Sequence, residues 1–155
     1  MDLIPFSSVS AVPTGQGTLI DITSNDDFID ISEKFILSNV RGRRKPYYVG
    51  LRAFLFEAKI AFEFNDQYKL HSVEFRQPYD VQNASALYFQ GKNLLQDKLI
   101  SAQRILEEAK ISFEISDVGI DAPEIGLSFY SDSFDDSLDV DLDSVTVFLA
   151  PNLQR

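Results

Sequence analysis

The feature that most constrains this chain is a change of period just past residue 47. From there Phe54, Phe56, Ala58, Ile60, Phe62 and Phe64 alternate with Leu55, Glu57, Lys59, Ala61 and Glu63. Side chains two residues apart project from the same face of a strand, so this run predicts one long strand or two linked strands, half-buried. Asn65-Asp66-Gln67 supplies turn chemistry. After it Leu70, Ser72, Glu74 and Arg76 alternate with His71, Val73 and Phe75, and Pro78 ends the run. The pattern is that of a β-hairpin.

Helical spacing occurs on either side of the hairpin. Phe28, Ile31, Phe35 and Ile36 recur at one-face spacing behind a cap at Ser24 or Asn25, with Asp26 and Asp27 suited to the positive end of a helix dipole. This helix is expected to end near Asn39 and to lead into a basic loop, Arg41-Gly42-Arg43-Arg44-Lys45. A second helix is expected with Leu99, Ala102, Ile105, Leu106 and Ala109 as its buried stripe. Before the first helix, Pro5, Pro13, Gly15 and Gly17 favour loop or edge structure around a short apolar stretch, Thr18 to Ile22.

Further strands are expected at Leu87-Tyr88-Phe89, at Phe113 and Ile115, at Leu127 and Phe129, and at Val145, Val147 and Leu149. No internal repeat stands out. The expected fold is a single α+β domain over residues 1–155, with a mainly antiparallel sheet built from hairpins and two helices packed on one face. One core suits a chain of 155 residues.

Charge and composition narrow the chemistry. The net charge of -10 opposes phosphate backbones and anionic membranes, so neither nucleic acid nor a membrane is the expected partner. The excess is uneven. Residues 1–78 carry nine Lys/Arg against ten Asp/Glu, and residues 79–155 carry five against fourteen. With no cysteine there is neither disulfide nor thiolate site, and with no basic n-region or long apolar run the expected compartment is the cytoplasm. The sole histidine, His71, alternates with Val73 and Phe75 and is expected on an apolar face, which disfavours triad hydrolysis.

Six aspartates fall within Asp132 to Asp143. Asp139, Asp141 and Asp143 imitate the opening of a calcium loop, but Ser144 stands where that loop requires glycine, and no glutamate closes it. No metal or cofactor is therefore expected. One reading makes these aspartates the wet side of a strand approach. The other makes them a steering surface, with Phe134 as an apolar anchor.

The stretch from Ala58 to Pro151 resembles, in layout, small bacterial immunity proteins of contact-dependent inhibition and other polymorphic toxin systems. The resemblance rests on the charged hairpin Ala58 to Arg76, on LYFQGKNLL at 87–95 leading into a helix, and on IGLSFYSDSFDDSLDVDLDSVTVFLAP at 125–151. It implies a protein without catalytic activity that occludes the active site of a cognate toxin C-terminal domain, a basic protein and often a nuclease. It places the contact residues at Asp132, Phe134, Asp135, Asp136, Asp139, Asp141 and Asp143. Two other classes fit the residues alone: a small acidic carboxylate hydrolase, and a structural subunit pairing through sheet edges. Sequence carries no signal for oligomeric state.

Overall fold

In the computed structural model, the structure describes residues 3–4, 8–11, 20–23, 25–43, 50–55, 60–76, 88–89 and 91–149. The expectations resting on Pro5, Pro13, Gly15, Gly17, Ser24, Arg44, Lys45, Phe56 to Lys59, Pro78 and Leu87 lie outside these residues.

Strands β1 (Leu3–Ile4), β2 (Ser8–Ala11) and β3 (Ile20–Thr23) form a small antiparallel sheet in that order. Helix α1 (Phe28–Lys34) follows, then β4 (Ser38–Arg43), β5 (Gly50–Leu55), β6 (Ile60–Phe64) and β7 (Leu70–Arg76). A two-stranded ribbon of β8 (Tyr88–Phe89) and β9 (Lys92–Asn93) precedes helix α2 (Leu99–Glu108). Four more strands complete the described chain: β10 (Glu114–Ile115), β11 (Gly119–Ala122), β12 (Leu127–Tyr130) and β13 (Ser144–Phe148).

The main sheet has eight antiparallel strands in the order β10-β11-β12-β13-β7-β6-β5-β4, so the fold is α+β as expected. Register fixes its core face. Ile60, Phe62 and Phe64 stand opposite Phe75, Val73 and Leu70, and Val145 and Val147 continue the row to Phe129 and Leu127. All ten are buried. Both helices cover this face. Phe28 meets Phe64 edge-on at 5.5 Å and Phe35 meets Phe62 at 5.8 Å, while α2 lies over β11 and β12 with Leu99, Ala102 and Leu106 buried. At roughly 1.5–3 kcal/mol for each fully buried large apolar side chain, this shared face dominates the stability of the sheet.

Four local expectations are corrected. The first helix starts at an Asp27 cap with a reciprocal Asp27/Asp30 capping box, and stops at Lys34 because Phe35 takes extended backbone angles. Phe35 therefore turns into the core, and Ile36, expected in the buried stripe, is 92% exposed. Arg41 to Arg43, expected as loop, form the edge strand β4. Phe54 lies opposite Ala61, on the face away from Ile60 and Phe62, so β5 carries the phase opposite to that read from the alternation. A bulge between Glu63 and Phe64 seats Leu70 in the core. His71 instead lies half-buried beside Phe148 (5.7 Å, edge-on), which alternates with Val147 and so faces away from Val73 and Phe75.

The sheet order reads the same from either end, and a repeat that the sequence had concealed explains why. The arrangement α-β-β-β-β occurs twice, as α1-β4-β5-β6-β7 and α2-β10-β11-β12-β13, joined where β7 pairs with β13. Equivalent positions follow from register. Ala53 and Phe62 pair as Ala122 and Leu127 do, Leu51 and Phe64 as Ile120 and Phe129 do, and the central pair Val73–Val147 maps onto itself. A two-fold relation normal to the sheet leaves both helices on the same face. Each unit latches its helix identically: Phe28 N–H donates to the Tyr68 carbonyl and Leu70 N–H to that of Asp26. In the second unit Leu99 donates to Val140 and Leu142 to Asp97. Among the described residues no helix is long and apolar enough to cross a membrane.

Gly50 and Gly119 begin the second strand of each unit, where an added Cβ would lie 1.8 Å from the Phe64 carbonyl oxygen and 1.9 Å from that of Phe129. Backbone cannot yield as a flexible side chain can. Gly50→Ala and Gly119→Ala are each expected to destabilise by about 2–4 kcal/mol in urea denaturation, with Gly42→Ala, at an open site, staying within about 0.5 kcal/mol.

Candidate functional site

The two units differ most in the loop before their last strand. Between the equivalent residues Asn65 and Tyr68 the first unit has two residues, Asp66 and Gln67. Between Tyr130 and Val140 the second has nine, Ser131 to Asp139. The acidic segment read from the sequence is thus largely an insertion into a repeated framework.

Hydrogen bonds close the base of this excursion. Asp143 N–H donates to the Tyr130 carbonyl at 2.9 Å, Asp132 N–H donates to Asp143 Oδ2 at 2.6 Å, and buried Ser131 donates to the Val118 carbonyl at 3.0 Å. Tyr130 Oη donates to Asp132 Oδ1 at 2.5 Å. That hydrogen bond first, then the Asp132 charge, burial, and the charges of Asp143 and Glu74 push the phenol above its ordinary value of 10.0.

The returning leg lies across the N-terminus of α2. Lys98 occupies the cap position and makes no side-chain cap, so the first helical amides need other acceptors. Backbone carbonyls of the excursion provide them: Ile100 N–H donates to Leu138 at 2.8 Å and Leu99 N–H to Val140 at 2.9 Å. Leu142 is buried, and Phe134, Leu138 and Val140 pack against the core. Lys98 Nζ meets Asp141 at 3.1 Å, and this hydrogen bond and the Asp141 charge, with Asp139 and Asp97, raise the lysine pKa. The pair is solvated and contributes less than the apolar burial beside it. Packing and backbone bonds hold the leg in place.

The seven residues singled out in the sequence therefore divide. Phe134, expected to face a partner, faces the core. Asp132 and Asp143 tie the base, and Asp141 pairs with Lys98. Asp135, Asp136 and Asp139 are exposed at the crest, where Asp136 turns the chain at φ +59°. Among the described residues no group of three or more Asp, Glu or His side chains is placed to hold a metal ion.

Beside the base lies a cavity of about 280 Å³ lined by Glu74, Arg76, Tyr130, Asp132, Asp143 and Ser144. It borders a charge ladder on the face of the sheet away from the helices. Arg52 bonds Glu63 and Glu74 (2.7 Å), Arg76 Nε bonds Glu74 at 3.0 Å, and Ser144 Oγ donates to Glu74 at 3.2 Å. Both guanidinium groups stand over the Phe54 ring, at 5.1 and 5.5 Å. Burial pushes the Glu74 carboxyl up, but Arg76 and Arg52 outweigh it, and its pKa falls below the ordinary 4.5. Tyr130, Glu74, Arg76 and Ser144 were not read as site residues from the sequence, where a tyrosine or serine in a strand carries no mark of the loop it closes.

No protein-family model, no curated protein and no solved structure matches this chain.

In an ultraviolet titration of the phenols, the signal lost in Tyr130→Phe is expected to titrate above pH 10, and Asp132→Asn to bring it back toward that value. A Tyr130 signal unmoved by Asp132→Asn would show that the hydrogen bond does not form in solution.

Proposed function

We propose that the protein is an immunity-type inhibitor: it captures a basic toxin domain through the crest of the acidic excursion and covers that domain's active site. It has no catalytic activity of its own and acts in the cytoplasm, where the cognate toxin C-terminal domain, a nuclease in the leading reading, would otherwise do damage.

The observation that carries this reading is the insertion itself. The first unit completes the same fold with two residues where the second has nine, so closing the framework does not require most of the added length. Its apolar residues point inward and its backbone caps α2, leaving Asp135, Asp136 and Asp139 in water on a preorganised crest. Such a surface steers a basic partner over a Debye length and loses little entropy on docking.

The carboxylate-hydrolase alternative has less support. A general acid needs a raised pKa, and Glu74, the cavity carboxyl whose surroundings shift it, is held ionised by two arginines.

Charge reversal by Asp135→Lys, Asp136→Lys and Asp139→Lys together is expected to leave the melting temperature within about 2 °C. It should slow association with the basic toxin domain, the candidate being the product of the adjacent upstream reading frame, by about tenfold at roughly 50 mM ionic strength and by much less at roughly 0.5 M. An unchanged rate at low salt would remove the excursion from the interface.

A further inference from the structure

The repeat makes one unit a template for reading the other. In the second unit the helix N-terminus is covered: Ile120 is fully buried, Ile100 is half-buried, and Leu138, packed against the core, places its carbonyl on the Ile100 amide. Among the described residues nothing covers the equivalent place in the first unit. Ile29, equivalent to Ile100, is 62% exposed and Tyr68, equivalent to Val140, is 55% exposed. Leu51, equivalent to Ile120, is only half-buried.

A mostly apolar cavity of about 330 Å³ lies there, lined by Asp27, Phe28, Ile29, Leu51, Gln67 and Tyr68. Where the second unit has Ile115 beside Ile120, the first has Gly42 beside Leu51, with open space where a Cβ would stand. The short loop Asn65 to Lys69 lacks the residues that would cover the cavity. It also turns through Tyr68 at φ +63°, the left-handed region that non-glycine residues rarely adopt.

The charges at the two places are reversed. In the second unit the cap residue is Lys98 and the covering leg is acidic, through Asp139 and Asp141. In the first the cap residue is Asp27, with Asp30 bonded to it and Asp66 exposed on the adjacent loop, against Lys69 alone on that loop.

We propose that the cavity between Ile29, Leu51 and Tyr68 receives an extended segment of a basic partner protein, one that lays an apolar side chain of leucine or phenylalanine size there with lysine or arginine beside it. The segment docks as Phe134 to Asp139 dock on the second unit, with the charges exchanged. The two-fold relation puts this surface at the opposite end of the central strands from the acidic crest. It rests on the immunity reading only for the basic character of the partner.

The probe is a nonapeptide copying residues 131–139, Ser-Asp-Ser-Phe-Asp-Asp-Ser-Leu-Asp, with its four aspartates replaced by lysine. Titrated into the full chain and followed by amide chemical shifts, it is expected to shift Ile29, Leu51 and Tyr68 saturably. Ile29→Ser, at an exposed position that leaves the fold intact, should weaken binding by about tenfold, and the unmodified acidic peptide should bind about fivefold less well. The charge-reversed crest described above should bind the lysine peptide as the parent does. Shifts that do not saturate, or affinity unchanged by Ile29→Ser, would overturn the proposal. Equal binding of the acidic peptide would overturn its choice of a basic occupant. Peptide binding lost in the crest variant would instead place the peptide on the crest. Failure of toxin capture with the peptide still bound at Ile29 would count against the immunity reading and leave this surface standing.

Discussion

The antiparallel pairing of β7 with β13 is the contact on which the rest of the structure depends. Each α-β-β-β-β unit ends in one of these strands, and each alone would leave a long unpaired edge. Joined through Val73 and Val147, they make one sheet whose core row runs unbroken from Ala53 through Phe62, Val73, Val147 and Leu127 to Ala122, and they align the two helices over it. The outer edges fall to β4, which carries a bulge and Arg41, and to the two-residue strand β10, both unfavourable templates for further pairing.

From that junction the functional features follow as departures from symmetry. Both units latch the start of their helix with the same two backbone hydrogen bonds, but the charges at the latch are exchanged, Asp27 bridged through its backbone to Lys69 in one and Lys98 to Asp141 in the other. Exchange of sign preserves the attraction while reversing what the surrounding surface can attract. The second unit adds an acidic excursion and fills the groove over its helix. Among the described residues the first has no such addition over its groove. Binding surfaces of opposite construction thus sit at opposite ends of the central strands.

Much of the fold was legible in the sequence because period-two alternation in Ile60 to Arg76 and helical spacing in Leu99 to Leu106 are strong local signals. What escaped it was set by non-local pairing. The phase of Phe54 depends on the connection to Ile60, and the burial of Leu70 in place of His71 depends on a bulge opposite Phe64. The repeat is written in Gly50-Leu51-Arg52-Ala53 against Gly119-Ile120-Asp121-Ala122, and in Ile60-Ala61-Phe62-Glu63-Phe64 against Ile125-Gly126-Leu127-Ser128-Phe129. Connections of unequal length hide it from a fixed-period scan. The acidic segment was found by charge alone, and charge could not reveal that Phe134 packs inward while Asp135, Asp136 and Asp139 stay in water.

The central claim is that the excursion is an addition to a framework that folds without it. Thermal unfolding of a chain in which Ser131 to Asp139 is replaced by Asp-Gln, the two residues the first unit uses at the same place, tests this most directly. The expected result is a single cooperative transition lowered by on the order of 5–10 °C, from losing the core packing of Phe134 and Leu138 and the acceptor for the Ile100 amide. Loss of a cooperative transition would show that the excursion is part of the framework, and would contradict the division of this chain into a repeated scaffold and an added binding crest.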